Sequence, residues 1–109
     1  MAFTTEFVMG AGGSVEEIPV SMSGNGTNTY PLTTVDAGDG AWVWVDGDLN
    51  PGAGGSVTSP QLQVGNLIYA VNGDRAGGGG YFTGTVQIDI RSRTSGTTTF
   101  DGTVYVIRV

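Results

Sequence analysis

Two stretches in the C-terminal third alternate apolar and polar residues and echo each other eighteen residues apart. Phe82-Thr83-Gly84-Thr85-Val86-Gln87-Ile88 returns as Phe100-Asp101-Gly102-Thr103-Val104-Tyr105-Val106. Both are rich in β-branched residues, and a period of two with that composition is a strand pattern. A polar, Gly-containing segment from Ser92 to Thr98 separates them, so the pattern predicts a C-terminal β-hairpin. With Arg91 facing Thr99, Val86 falls opposite Val104 and Ile90 opposite Phe100. Phe82, Val86, Ile88, Ile90, Phe100, Val104 and Val106 then share one face, the predicted core. The opposite face of the last strand carries Tyr105, Ile107 and Val109. Apolar side chains there point either to a second packed layer, with the last strand central in a closed sandwich, or to a subunit interface.

The rest of the chain reads as short strands separated by Gly, Asn, Asp and Pro. Residues 3–9 alternate, with Phe3 and Phe7 on one face. Val15 to Met22 and Thr29 to Val35 are strand candidates interrupted by Pro19 and Pro31, which suit an edge strand or a bulge. Ala41 to Val45 places Trp42 and Trp44 on one face and Ala41, Val43 and Val45 on the other. A strand apolar on both faces is buried twice, or buried once and used once. Residues 46–56 read as a loop, Val57 to Val64 as a possible strand with Pro60 inside it, and Leu67 to Val71 as a buried strand. Asn72 to Gly80, with four consecutive glycines, reads as a flexible or intersubunit loop. No segment holds a helical period. The prediction is one all-β domain over residues 1–109: an antiparallel β-sandwich or small barrel of about seven or eight short strands, with long Gly-rich loops and a C-terminal hairpin.

Composition narrows the chemistry. The chain has no cysteine, histidine or lysine, and its four basic residues are all arginine. That removes disulfides, thiolate sites, the commonest general base and any Schiff-base amine. Residues 1–71 hold seven acids and no base, whereas residues 72–109 hold three acids and all four arginines, for a net charge of -6. An anionic chain does not bind nucleic acid through phosphates or an anionic bilayer through charge. The asymmetry permits contacts between the acidic part of one copy and the arginine part of another. The first residues have neither a basic region nor an apolar run of signal-peptide type.

Asp46, Asp48 and Asn50 have the spacing that opens a calcium loop. Pro51 stands where that loop needs glycine and Val57 where it needs a bidentate glutamate, so a plain Asp/Gly/Asn turn is the preferred reading and calcium a minor alternative. Glu16 and Glu17 are adjacent and point to opposite faces of a strand, so they do not converge as a glycosidase pair. No serine has a His or Lys to activate it. No catalytic residue and no cofactor site is predicted. Trp42 and Trp44, with Tyr81 and Tyr105, are the candidates for a ligand platform: aromatic rings on one sheet face stack on sugars or pack at interfaces, and a core or interface role is the preferred one.

The Gly10 to Ser14 and Gly77 to Gly80 segments and the two Phe-x-Gly-Thr-Val strands sit in a short, acidic, cysteine-free chain. In style this resembles the small accessory virion proteins of tailed bacteriophages, which decorate or cement capsids or sit in tails and fibres. The resemblance spans the chain and rests on no diagnostic motif. It implies a non-enzymatic structural protein located in the virion and assembled in the host cytoplasm. Its implied partners are a major capsid or tail protein and copies of itself, commonly as trimers bridging capsomers in decoration proteins. The residues expected at such contacts are Tyr105, Ile107, Val109, Phe3, Phe7, Arg91 and Arg93. The alternative is a carbohydrate-binding module or fibre tip that holds a glycan on Trp42 and Trp44.

Overall fold

A computed structural model describes residues 13–26, 28–50, 61–70, 75–92 and 96–108, without the side chains of 68–70, 75 and 76. The described residues form eight strands: β1 (Ser14–Asn25), β2 (Asn28–Asp36), β3 (Ala41–Asn50), β4 (Gln61–Val64), β5 (Leu67–Ala70), β6 (Arg75–Phe82), β7 (Thr85–Ser92) and β8 (Thr97–Arg108). They pair into two four-stranded antiparallel sheets. Sheet A runs β1-β8-β3-β6 and sheet B runs β2-β7-β4-β5. The pairs β1·β8, β2·β7, β3·β6 and β4·β5 are nested about the β4–β5 turn. The chain is therefore a long double strand rolled up into a sandwich, which is the jelly-roll arrangement.

Alternation decides which side chains enter the space between the sheets. Val43, Val45 and Leu49 of β3, Phe100, Val104 and Val106 of β8, Leu62 and Val64 of β4, and Val86, Ile88 and Ile90 of β7 all point inward and are fully buried. Each buried branched side chain contributes about 1.5–3 kcal/mol of transfer free energy. The prolines fall where a missing N–H does least harm. Pro19 lies on edge strand β1, and Pro31 lies at the register shift of edge strand β2.

The two echoing segments are both strands, but they do not form a hairpin. β7 belongs to sheet B and β8 to sheet A. The predicted core faces are still the buried ones, because alternation identifies a face and not a neighbour. In a sandwich the inner faces of two sheets look at each other, so one residue set serves either arrangement. The echo also breaks at its glycines. Gly84 is a turn with φ +72 between β6 and β7, whereas Gly102 is in the middle of β8 opposite Gly47. Phe82 consequently belongs to β6 and packs half-buried against the core. The hairpin of consecutive strands among the described residues is β4–β5, closed by Gly65-Asn66 with Gly65 at φ +58.

Two predicted loops are strands. β3 runs straight through Asp46 to Asn50, and Arg75 to Phe82, glycine run included, is the edge strand β6 paired with β3. Glycine suits that strand because it lies close against β3: a Cβ on Gly79 would collide with the backbone of Val43 and Trp44. The strand expected over residues 3–9, residues 51–60, Arg93 and Val109 lie outside the described residues.

At the β1–β2 corner the Tyr30 ring, rooted in sheet B, lies against Gly24 of sheet A, where a Cβ would collide with the ring. Its hydroxyl donates to the carbonyls of Asn25 (2.7 Å) and Gly26 (3.1 Å), which ties the two sheets together. At the opposite end Arg108 donates to the Asp36 carbonyl at 2.7 Å.

Candidate functional site: the outer face of sheet A

The two sheets differ in what they present outward. On β2, β4 and β7 of sheet B the outward positions are polar apart from Pro31: Thr29, Arg91 and Gln61 form one cross-strand row, and Pro31, Asp89 and Gln63 lie in the next. Thr34 donates to Gln87 (2.9 Å) and Gln87 to Asp89 (3.0 Å) along the same face. This is an ordinary solvated surface, and Arg91 is half-buried within it.

Sheet A presents two zones. Across the strands β1, β8, β3 and β6, the first row is Val15, Ile107, Trp42 and Tyr81. The second row is Glu17, Tyr105, Trp44 and Gly79. Within them Trp42, Trp44 and Tyr81 are 50%, 39% and 55% exposed, a large aromatic surface left in water. Trp42 and Tyr81 meet edge-on, with ring centroids 5.5 Å apart and planes at 69°. The Tyr81 ring and hydroxyl occupy the space that a side chain at Gly40 would need.

Tyr105 and Ile107 share this outward face, as the alternation predicts, but they are only 6% and 8% exposed. β8 is an inner strand of sheet A, flanked by β1 and β3. These two side chains are packed within the chain and are not themselves a free interface. The exposed apolar surface next to them belongs to Trp42, Trp44 and Tyr81.

The second zone is acidic. Further along the same face the rows continue with Pro19, Thr103, Asp46 and Gly77, then Ser21, Asp101, Asp48 and Arg75. Asp46, Asp48, Asp101, Thr103, Tyr105 and Pro19 line an open cleft of about 280 Å³ that borders the aromatic rows. Asp48 and Asp101 are direct cross-strand partners. Such a pair has Cβ atoms about 4.5–5.5 Å apart, and like charges so placed are destabilising. Asp46 is buried, and one oxygen of Asp48, Oδ1, is buried without a hydrogen-bond partner.

Asp46, Asp48 and Asn50 alternate along one strand, so their Cα atoms are about 6.6 Å apart and cannot wrap one ion as a turn would. Among the described residues no group of carboxylates is arranged to hold a metal ion. Of the predicted contact residues, Tyr105 and Ile107 lie on sheet A, Arg91 lies on the opposite face of the sandwich, and Phe3, Phe7, Arg93 and Val109 lie outside the described residues. The role of Asp101 was not legible in advance, because its partnership with Asp48 depends on the non-local β3·β8 pairing. No protein-family model, no curated protein and no solved structure matches this chain.

Proposed function

We propose that this chain is a non-enzymatic structural protein of a bacteriophage virion, decorating or cementing the capsid or forming part of the tail. In this reading it works by laying the outer face of sheet A on the shell and by associating with copies of itself, with a trimer as the form implied for decoration proteins. The observation that carries the reading is the exposed cluster of Trp42, Trp44 and Tyr81 on one sheet face, set against the polar outer face of the other sheet. Exposed aromatics grouped on a rigid face mark a contact surface. The absence of His, Lys and Cys from the sequence favours adhesion over catalysis. The jelly roll is used by viral capsid domains and by lectins alike, so the fold accommodates the reading without selecting it. Light scattering and co-sedimentation with virus particles assembled without the chain test it. Self-association and binding to the particles are expected; a stable monomer with no affinity for them would overturn the proposal.

The aromatic rows beside a cleft with carboxylates and a threonine hydroxyl also favour a second reading, a carbohydrate-binding module or fibre-tip domain. Sugar rings stack on indoles while carboxylates accept from their hydroxyls. Glycan-array binding that disappears in Trp42→Ala/Trp44→Ala would place this reading first.

A further inference from the structure

We propose that the outer face of sheet A docks an arginine-bearing segment of another protein, with a guanidinium held in the Asp48–Asp101 cleft and the segment lying over Trp44 and Trp42. The inference rests on the reading of this face as the docking face and names the chemistry of what it receives.

Two observations point to that occupant. The aromatic zone and the acidic zone are consecutive rows of one sheet face, so a single extended segment crosses both. Asp48 and Asp101 are placed directly opposite each other at the cleft. A cation held at the two carboxylates relieves their repulsion. A guanidinium suits the whole surface better than an ammonium does, because it is planar, forks onto carboxylates and stacks on aromatic faces.

Charge decides between a second copy and a different protein. The chain carries ten acids against four arginines, so copies repel one another through this face. Arg91 is half-buried on the far side of the sandwich, and Arg108 is engaged with the Asp36 carbonyl. Arg75 is the register partner of Asp48 on β6, one arginine position against the three acids Asp46, Asp48 and Asp101. Arg93 lies outside the described residues, so it is the excess of ten acids over four arginines that favours a basic partner over a second copy.

The test uses the two tryptophans of the chain, both of which lie on this face, as reporters. Tryptophan fluorescence of the full chain is titrated with a short glycine-spaced di-arginine peptide. A second titration uses its citrulline counterpart, in which a neutral urea replaces each guanidinium. The arginine peptide is expected to give a saturable change and to bind at least about tenfold more tightly than the citrulline peptide. Added salt should shrink that difference. Asp48→Asn and Asp101→Asn should each remove it; Asp101 is exposed, so its variant tests the idea even if Asp48→Asn folds poorly. Equal binding of the two peptides overturns the inference, as does no saturable response, full arginine binding by both variants, or a response to a neutral oligosaccharide in place of the peptide. Particle binding that is lost in Trp42→Ala/Trp44→Ala but unchanged in Asp48→Asn/Asp101→Asn would remove the arginine while leaving the docking face in place.

Discussion

Trp42 and Tyr81 face each other across β3 and β6 on the outer face of sheet A, edge to face with ring centroids 5.5 Å apart. Both rings remain about half in water, so the pair is a rigid, exposed aromatic corner. A double-mutant cycle with Trp42→Ala and Tyr81→Ala, read by chemical denaturation, should give a coupling of about 0.5–1.5 kcal/mol. A coupling near zero would mean that the two rings do not support each other in solution.

Gly47 and Gly102 stand directly opposite on the inner side of β3 and β8, with the Phe100 ring across both. A Cβ on Gly47 would come within 2.7 Å of the Gly102 Cα and of the ring edge, and a Cβ on Gly102 would meet the Asp46 carbonyl. Most of these obstacles are backbone and cannot swing aside. Gly102→Ala should therefore destabilise the fold by about 1–3 kcal/mol, and Phe100→Ala by about 3–5 kcal/mol, in urea denaturation. Substitution at Gly84, which has open space around its Cβ position but a positive φ, should cost about 1 kcal/mol through the backbone alone.

The sheet assignment of the last strand is open to cross-linking, because the chain contains no cysteine of its own. Ser23 and Thr99 are register partners in β1 and β8, and both are exposed. Antiparallel partners have Cα separations of about 4.5–5.5 Å, within disulfide range. Ser23→Cys/Thr99→Cys should oxidise readily to an intramolecular disulfide. Arg91→Cys/Thr99→Cys, the pair that a C-terminal hairpin would bring together, should not. Mass spectrometry under non-reducing conditions separates the two outcomes.

Tyr30 and Gly24 lock the corner where the chain passes from sheet A to sheet B. Tyr30→Phe removes the hydroxyl proton shared between the Asn25 and Gly26 carbonyls and should cost about 1 kcal/mol. Gly24→Ala pushes the ring out of place, so its cost should fall once the ring is gone. A sub-additive Gly24→Ala/Tyr30→Ala double variant in thermal unfolding is the expected result.

Local pattern revealed a great deal of this molecule. Alternation identified the buried faces of β3, β7 and β8, and Pro19 and Pro31 marked two of the four edge strands. It also placed Trp42 and Trp44 together on one face. What it did not reveal is who pairs with whom. Val86 and Val104 look like hairpin neighbours because both point inward, yet they belong to opposite sheets. The glycine run at 77–80 has no side chains with which to show a period of two, so its strand character emerges only from the partner β3. Asp48 was legible as an acid in a turn-like sequence. Its repulsive neighbour Asp101 lies 53 positions away and is brought beside it by the non-local β3·β8 ladder.

We propose that the outer face of sheet A is the surface that docks. Acrylamide quenching of Trp42 and Trp44 tests it most directly, with and without virus particles assembled in the absence of this chain. Free in solution the two indoles should quench strongly, in line with their exposure. Bound to the particles they should be protected, and Trp42→Ala/Trp44→Ala should fail to bind. Binding that leaves the quenching unchanged, or that survives the loss of both tryptophans, would mean that another surface docks.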